Sequence, residues 1–128
     1  MARRASLVIQ PRACDIGVAR DFAVDLAPVV LPEGRVFAEG DADALALMVS
    51  EVVGNAVEHG DGSVTVEVMS TGSRIRVEIT DGGAGVPELR SAPTDAPSGR
   101  GLGIVDALSS SWGWEGRPDG GKAVWFEY

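Results

Sequence analysis

The stretch DADALALMVSEVVGNAVEHG, residues Asp41–Gly60, decides the fold because its pattern is typical of one long amphipathic helix. Its apolar side chains recur at helical spacing and form one continuous face, made of Leu45, Val49, Val52, Val53, Ala56 and Val57. We expect Asp41 to cap the first turn, because its carboxylate can accept backbone N–H groups that lack helical partners, and Gly60 to end the helix.

The same helix carries a polar stripe almost opposite its apolar face. Glu51, Asn55 and His59 follow one another at i, i+4 and i+8, and Glu58 falls within the same stripe. On an arbitrary helix such a stripe is most often only a solvated surface. Its interpretation therefore depends on the glycine-rich segments that come later in the chain.

Length, charge and cysteine content narrow the class of protein. The chain has 128 residues, the size of one domain spanning 1–128, and a formal net charge of −8, which argues against a nucleic-acid phosphate backbone as a partner. One cysteine permits no intrachain disulfide, and one cysteine with one histidine excludes a usual Cys/His zinc site. The sequence shows neither a signal peptide nor a membrane-spanning run, so we expect a cytoplasmic protein without a membrane partner.

The other elements follow from periodicity and turn residues. In chain order we predict an edge strand over Ser6–Gln10, a helix over Cys14–Leu26, a connection over Pro28–Gly40, a β-hairpin over 64–80 with its turn at Ser70–Ser73, a helix over Leu102–Ser110, and two closing strands, Trp112–Glu115 and Lys122–Tyr128, around the turn Gly116–Gly121. These elements predict an α+β two-layer sandwich, with the helices on one face of a mixed, largely antiparallel sheet.

The first glycine-rich segment, Asp81–Gly85, leaves the end of a strand. Strand alternation points Asp81 toward the core, where a carboxylate needs a donor because an unpaired buried charge is costly. An adenine amino group would supply that donor, and the glycines would let a ligand approach the backbone closely. The alternative is an ordinary Asp-Gly turn.

The second segment, Gly99–Gly103, opens a helix. Backbone amides at a helix N-terminus favour phosphate groups, and Arg100 could add a direct contact. The alternative is a plain turn followed by a helix start. The run GRPDGGKA at 116–123 nearly matches the P-loop pattern GxxxxGK[ST]. Ala123 lacks the hydroxyl that would bind Mg²⁺, and the five residues after it are too few for the required helix, so we interpret this run as a hairpin turn.

Three motifs in a fixed order resemble the GHKL ATPase superfamily, which includes gyrase, heat-shock chaperones, sensor histidine kinases and mismatch-repair ATPases. They are Glu51-x-x-x-Asn55-Ala56-x-x-His59, Asp81-x-Gly83-x-Gly85 and Gly101-x-Gly103. The small size and the ending 99–128 are most similar to the bacterial anti-sigma regulatory factor serine/threonine kinases.

The resemblance implies a role for each motif residue in binding ATP and Mg²⁺. Glu51 would be the general base, Asn55 would bind Mg²⁺, Asp81 would bind the adenine amino group, Gly83 and Gly85 would shape the base pocket, and Gly99, Arg100, Gly101, Leu102 and Gly103 would close over the triphosphate. Ala123 departs from the family pattern, because a threonine is common in the closing strand beside the adenine site.

The implied partners are an anti-anti-sigma (STAS-type) protein as phosphorylation substrate and a sigma factor that the protein sequesters, with a homodimer possible and no direct contact with nucleic acid. Alternatives stay open. A sensor histidine kinase fragment is disfavoured because the one histidine belongs to the Asn55 helix, so no separate phosphoacceptor histidine is present. A nucleotide-gated regulator-binding module without phosphotransfer is the main alternative, and an α+β domain with no nucleotide site is a third.

Overall fold

A computed structural model describes residues 3–31, 34–83 and 101–128. The elements are β1 (Arg4–Ile9), α1 (Ala13–Val30), α2 (Glu39–His59), β2 (Val64–Thr71), β3 (Arg74–Asp81), α3 (Gly101–Leu108), β4 (Ser111–Gly116) and β5 (Lys122–Glu127). The five strands form one sheet in the order β1-β2-β3-β5-β4. The predicted α+β class is confirmed, but each of these strand pairings is antiparallel, so the expectation of a mixed sheet is wrong.

The strand register sorts the side chains onto two faces of the sheet. Val68 pairs with Val77, and Val77 pairs with Phe126, so one apolar layer crosses the three central strands. All three side chains are fully buried in the core that the helices cover. The other face is polar, and the Arg76 guanidinium lies 4.1 Å from the ring centroid of Trp125, within the range of a cation–π contact.

Helix α1 packs on α2 and on the sheet, and it buries a row of small residues. Ala19, Ala23 and Ala27 are fully buried and repeat every four residues, so they lie on one face of the helix. The prediction that this helix ends before Pro28 is wrong, because α1 continues through Pro28 to Val30. A proline in the last turn removes only one backbone donor, and the burial of Val30 favours keeping that turn helical.

Helix α2 confirms the predicted amphipathic element with one correction at its start. It begins at Glu39, two residues before Asp41, and its N-cap residue is Ala38. Asp41 caps the first turn as predicted, but from the third helical position: its Oδ2 accepts the N–H of the N-cap residue Ala38 at 3.0 Å. The predicted end is right, because Gly60 is the C-cap and its N–H donates to the Ala56 carbonyl at 2.9 Å.

Both predicted hairpins are present. β2 and β3 pair from Thr65–Thr80 to Thr71–Arg74, and Gly72 takes a positive φ of 60° in the turn between them. β4 and β5 pair around the turn 117–121, which confirms that the P-loop-like run is a hairpin. The predicted helix over Leu102–Ser110 is α3, shifted to Gly101–Leu108.

Within the described ranges, no helix combines the length and the apolar character needed to cross a bilayer.

Candidate functional site

A cavity of about 460 Å³ lies beside the polar stripe of α2. Glu51 and Asn55, one helical turn apart, both line it and are half-buried. The other described lining residues are Gly54, Val57 and Glu58 from α2, and Ala13 and Ile16 from α1. The structure therefore brings the first two predicted site residues together on the wall of one cavity.

His59 does not share that position. It is exposed, it is not among the described residues that line the cavity, and its Nε2 lies 3.7 Å from the Glu58 carboxylate. That contact is an ion pair only when the imidazole is protonated, and both groups are solvated. The predicted stripe thus divides into a cavity-lining part, Glu51, Asn55 and Glu58, and a solvent-facing end.

Asp81 points into the core, as strand alternation predicts. Its side chain is only 1% exposed, and its Oδ1 accepts two hydrogen bonds. One comes from the Gly83 backbone N–H at 2.6 Å and the other from the Lys122 ammonium at 3.1 Å. The donor that this buried carboxylate requires is therefore present within the chain itself.

Gly60 and Gly83 allow the end of α2 to contact the end of β3. A Cβ atom on Gly83 would lie 2.8 Å from the Gly60 Cα and 2.9 Å from the Asp81 Oδ1, closer than real side chains allow. The Gly82 N–H donates to the Asp61 carbonyl at 2.9 Å and fastens the same junction. At Gly83 the group that approaches closely is the Gly60 backbone, so the expectation that these glycines let a ligand approach stays a prediction, and Gly85 lies outside the described residues.

The cavity and the Asp81 carboxylate both adjoin α2: the cavity lies beside Glu51 and Asn55, and Asp81, from β3, lies beside Gly60. Asn55 precedes Gly60 by five residues, which corresponds to about 7.5 Å along the helix axis. Asp81 is not among the described residues that line the cavity. A ligand that reached both features would lie along the last one and a half turns of α2.

The side chain beside Asp81 in the closing strand is Lys122, not Ala123. The register pairs Asp81 with Lys122 and Thr80 with Ala123, so Ala123 belongs to the opposite face of the sheet. The expectation that Ala123 is the closing-strand residue beside Asp81 is therefore wrong. The sequence did contain a signal for Lys122: it alternates with the inward-facing Val124 and Phe126, and an inward charge needs a partner.

The second glycine-rich segment is described only in part. Gly99 and Arg100 lie outside the described residues, and Gly101 is the first residue of α3, which confirms that the segment opens a helix. Leu102 is buried in the core and Gly103 is half-buried.

The cavity wall suits a magnesium ion that takes most of its ligands from elsewhere. Among the residues that the structure describes, no group of three or more His, Cys, Asp or Glu side chains could hold a metal. Asn55 and Glu51 offer an amide and a carboxylate oxygen on one helical face. Mg²⁺ is commonly bound by one or two such groups together with substrate phosphates and water, so these residues fit it.

Hydrogen bonds lower the pKa of the Asp41 carboxyl at the start of α2. The Tyr128 hydroxyl donates to Asp41 Oδ1 at 2.7 Å, and together with the Ala38 N–H it lowers the pKa of Asp41 below its ordinary value of 3.8. The same bond raises the pKa of Tyr128 above 10.0. This pair lies at the opposite end of α2 from the cavity and has a structural role.

Comparisons with known proteins show what this chain is similar to in sequence and fold. A curated relative, "Sensor histidine kinase component HK1" from Mycobacterium tuberculosis, is 28% identical over 123 residues, which cover 84% of this chain and 73% of the relative. A crystal structure of the RsbU and RsbW domains of Rv1364c from Mycobacterium tuberculosis matches 98% of this chain with a TM-score of 0.67 and 18% identity. The histidine kinase domain of the blue-light activated histidine kinase EL346 from Erythrobacter litoralis matches 93% with a TM-score of 0.51 and 23% identity.

The two solved structures share the fold and are longer than this chain, which spans 32% and 60% of their lengths. The sequence model of the histidine kinase-like ATPase domain matches residues 15–128, from the first turn of α1 to the last residue. The chain therefore belongs to the histidine kinase-like ATPase domain family.

Proposed function

We propose that this protein is an ATP- and Mg²⁺-dependent serine/threonine protein kinase that acts as an anti-sigma factor. The observation that carries the proposal is the placement of Glu51 and Asn55 on the wall of one cavity. The buried Asp81 carboxylate, at the end of β3, lies beside Gly60, the C-cap of the same helix. The ATPase family supports the nucleotide, and the whole chain, 1–128, would act as one ATP-binding domain.

ATP would lie along the C-terminal part of α2. Asp81 would accept a hydrogen bond from the exocyclic amino group of adenine, and Gly83, which packs against Gly60, and Gly85 would shape the base pocket. The phosphates would extend toward Asn55, which lies about 7.5 Å further back along the helix. Gly99, Arg100, Gly101, Leu102 and Gly103 would close over the triphosphate, with the α3 N-terminus supplying backbone N–H groups.

Asn55 would hold Mg²⁺ through its side-chain oxygen. A neutral amide oxygen suits a hard cation that also binds the phosphates of ATP. When bound, Mg²⁺ neutralises negative charge on the phosphates. This neutralisation matters on a chain of net charge −8, whose cavity wall already carries Glu51 and Glu58.

Glu51 would act as the general base. Its carboxylate would accept the proton of a serine or threonine hydroxyl as the hydroxyl oxygen forms a bond to the γ-phosphorus. The bond between that phosphorus and the β–γ bridging oxygen breaks, and ADP leaves with the electron pair. Position supports this role, because Glu51 is half-buried one helical turn from Asn55 on the same cavity wall.

The acceptor would be an anti-anti-sigma protein of the STAS type, and the same protein would sequester a sigma factor in the cytoplasm, as a monomer or a homodimer. The similar structure that contains RsbU and RsbW domains supports this partner-switching role. The kinase resemblance of the ending 99–128 supports it independently.

A second candidate follows from the curated relative, which is named a component of a sensor histidine kinase. In that case the γ-phosphate would pass to a histidine of a separate protein. His59 is not assigned as the acceptor, because it belongs to the helix that carries Glu51 and Asn55 and is not among the described residues that line the cavity.

Incubation with γ-labelled ATP, Mg²⁺ and a STAS-type protein distinguishes these candidates by where the labelled phosphate is transferred. Acid-stable label on that protein, lost in Glu51→Ala but retained in the exposed control Asp43→Ala, supports the serine/threonine kinase. Because phosphohistidine is hydrolysed by acid, acid-labile label on a separate histidine-containing domain would instead support the second candidate. Saturable ATP binding without label on either acceptor would overturn both and leave a nucleotide-gated binding module.

A further inference from the structure

Lys122 is the one lysine in the sequence, and it is buried. Its side chain is 11% exposed, and the ammonium lies 3.1 Å from Asp81 Oδ1 and 3.4 Å from the Gly83 carbonyl oxygen. Lysine is rarely buried unless it is paired, because removing an ammonium from water is costly. The Asp81 carboxylate is the charge that compensates for this burial.

The ammonium contacts one of the two oxygens of the carboxylate that the proposed function assigns to adenine. Asp81 Oδ1 already accepts the Gly83 N–H and the Lys122 ammonium. A carboxylate oxygen has two lone pairs, so a further donor at Oδ1 must displace one of these two. The Gly83 N–H belongs to the strand exit itself, whereas the ammonium is at the end of a flexible four-carbon stem.

We propose that Lys122 is a built-in competitor of the nucleotide base, which lowers the affinity of the site for adenine nucleotides by occupying Asp81 until it is displaced. This inference rests on the proposed nucleotide site. Binding of the base replaces an ion pair with a hydrogen bond from a neutral amino group to the same carboxylate, and the ammonium must return to water or bind another acceptor. Breaking this ion pair costs free energy, which lowers the net affinity of the nucleotide.

The position of Lys122 favours displacement without unfolding. It is the first residue of β5 and follows the turn that contains Gly120, whose φ is 94°. Its backbone pairs with Asp81 on one side and Gly116 on the other, so rotation about its side-chain bonds leaves the strand in place.

Calorimetric titration of ADP with Mg²⁺ tests the inference, because ADP carries the base but no transferable γ-phosphate. The variants are Lys122→Thr, which removes the ammonium, and Lys122→Gln, which keeps a neutral donor. Arg117→Thr is the matched control, since it removes one positive charge from the exposed side of the same hairpin. Thermal unfolding of each variant is recorded first, and the titrations are made well below the lowest midpoint.

We expect ADP to bind Lys122→Thr at least tenfold more tightly than the parent, Lys122→Gln to be intermediate and Arg117→Thr to equal the parent. The gain should disappear in the double variant Lys122→Thr/Asp81→Asn, because the released acceptor is gone. Binding of ADP to the parent as tight as to Lys122→Thr, or tighter, would overturn the competitor role and leave the nucleotide site standing. Absence of saturable ADP binding in the parent and in both Lys122 variants would overturn the proposed function together with this inference.

Discussion

A Cβ atom added to Gly60 would lie 2.8 Å from the Asp81 Cγ, so the C-cap residue of α2 and the last residue of β3 are in direct contact. This contact ties the helix that carries Glu51 and Asn55 to the strand that carries the buried carboxylate. Any change that separates the two ends displaces one half of the proposed site from the other.

Gly60→Ala should destabilise the protein by roughly 3 kcal/mol, because the added methyl group overlaps both the Ala56 carbonyl oxygen and Asp81. The backbone of Gly60 has a φ of −85°, so the cause is steric overlap rather than glycine's conformational freedom. Gly40→Ala is the matched control, since a Cβ there has no heavy atom of another residue within 4 Å. Urea unfolding should show a large loss of unfolding free energy for Gly60→Ala and no loss for Gly40→Ala. Equal unfolding free energies of the two variants would contradict the close packing.

The Tyr128 hydroxyl should stabilise the protein in a pH-dependent manner. Because this hydrogen bond lowers the pKa of Asp41, its contribution is present above pH 3.8 and is lost as the pH falls through the lower folded-state value. The pKa of Tyr128 is raised, so the contribution is also lost as the pH rises past 10.0 through the folded-state value.

Tyr128→Phe should therefore lose about 1 kcal/mol of unfolding free energy at pH 7. The difference from the parent should narrow toward pH 3. Denaturant midpoints measured across pH 3–7 check this expectation. A difference that is absent at pH 7, or that widens in acid, would contradict the assigned bond.

The pairing of Lys122 can be read directly from its reactivity with an amine-acylating reagent, because the chain has no second lysine to confuse the signal. Acylation requires a free, uncharged amine, and the ammonium is held beside Asp81 with 11% of the side chain exposed. Mass spectrometry should show at least tenfold slower modification of Lys122 than of a lysine model peptide. Asp81→Asn should remove most of that protection; the same slow rate in this variant would show that burial alone protects the amine.

Much of this site could be predicted from the sequence because it depends on local periodicity. The helical spacing of Glu51 and Asn55 fixes them on one face of α2, and strand alternation fixes the inward direction of Asp81. Both predictions need only the geometry of a single element.

The partner of Asp81 could not be fixed in this way. Lys122 is 41 residues further along the chain, and its position depends on β5 inserting between β3 and β4. The same insertion makes the sheet wholly antiparallel among the described strands, where a mixed sheet was expected. The end of α1 also depended on tertiary context, because the buried Val30 extends the helix beyond Pro28.

The dissociation constant of Mg-ATP, measured by calorimetry on the parent, Asn55→Ala and Asp81→Asn, tests the central claim most directly. The account predicts one saturable site in the parent and at least tenfold weaker binding in both variants. The loss in Asn55→Ala should depend on Mg²⁺, and the loss in Asp81→Asn should persist when EDTA removes the metal. Unchanged affinity in both variants, with their folds intact, would contradict the placement of the nucleotide along the end of α2.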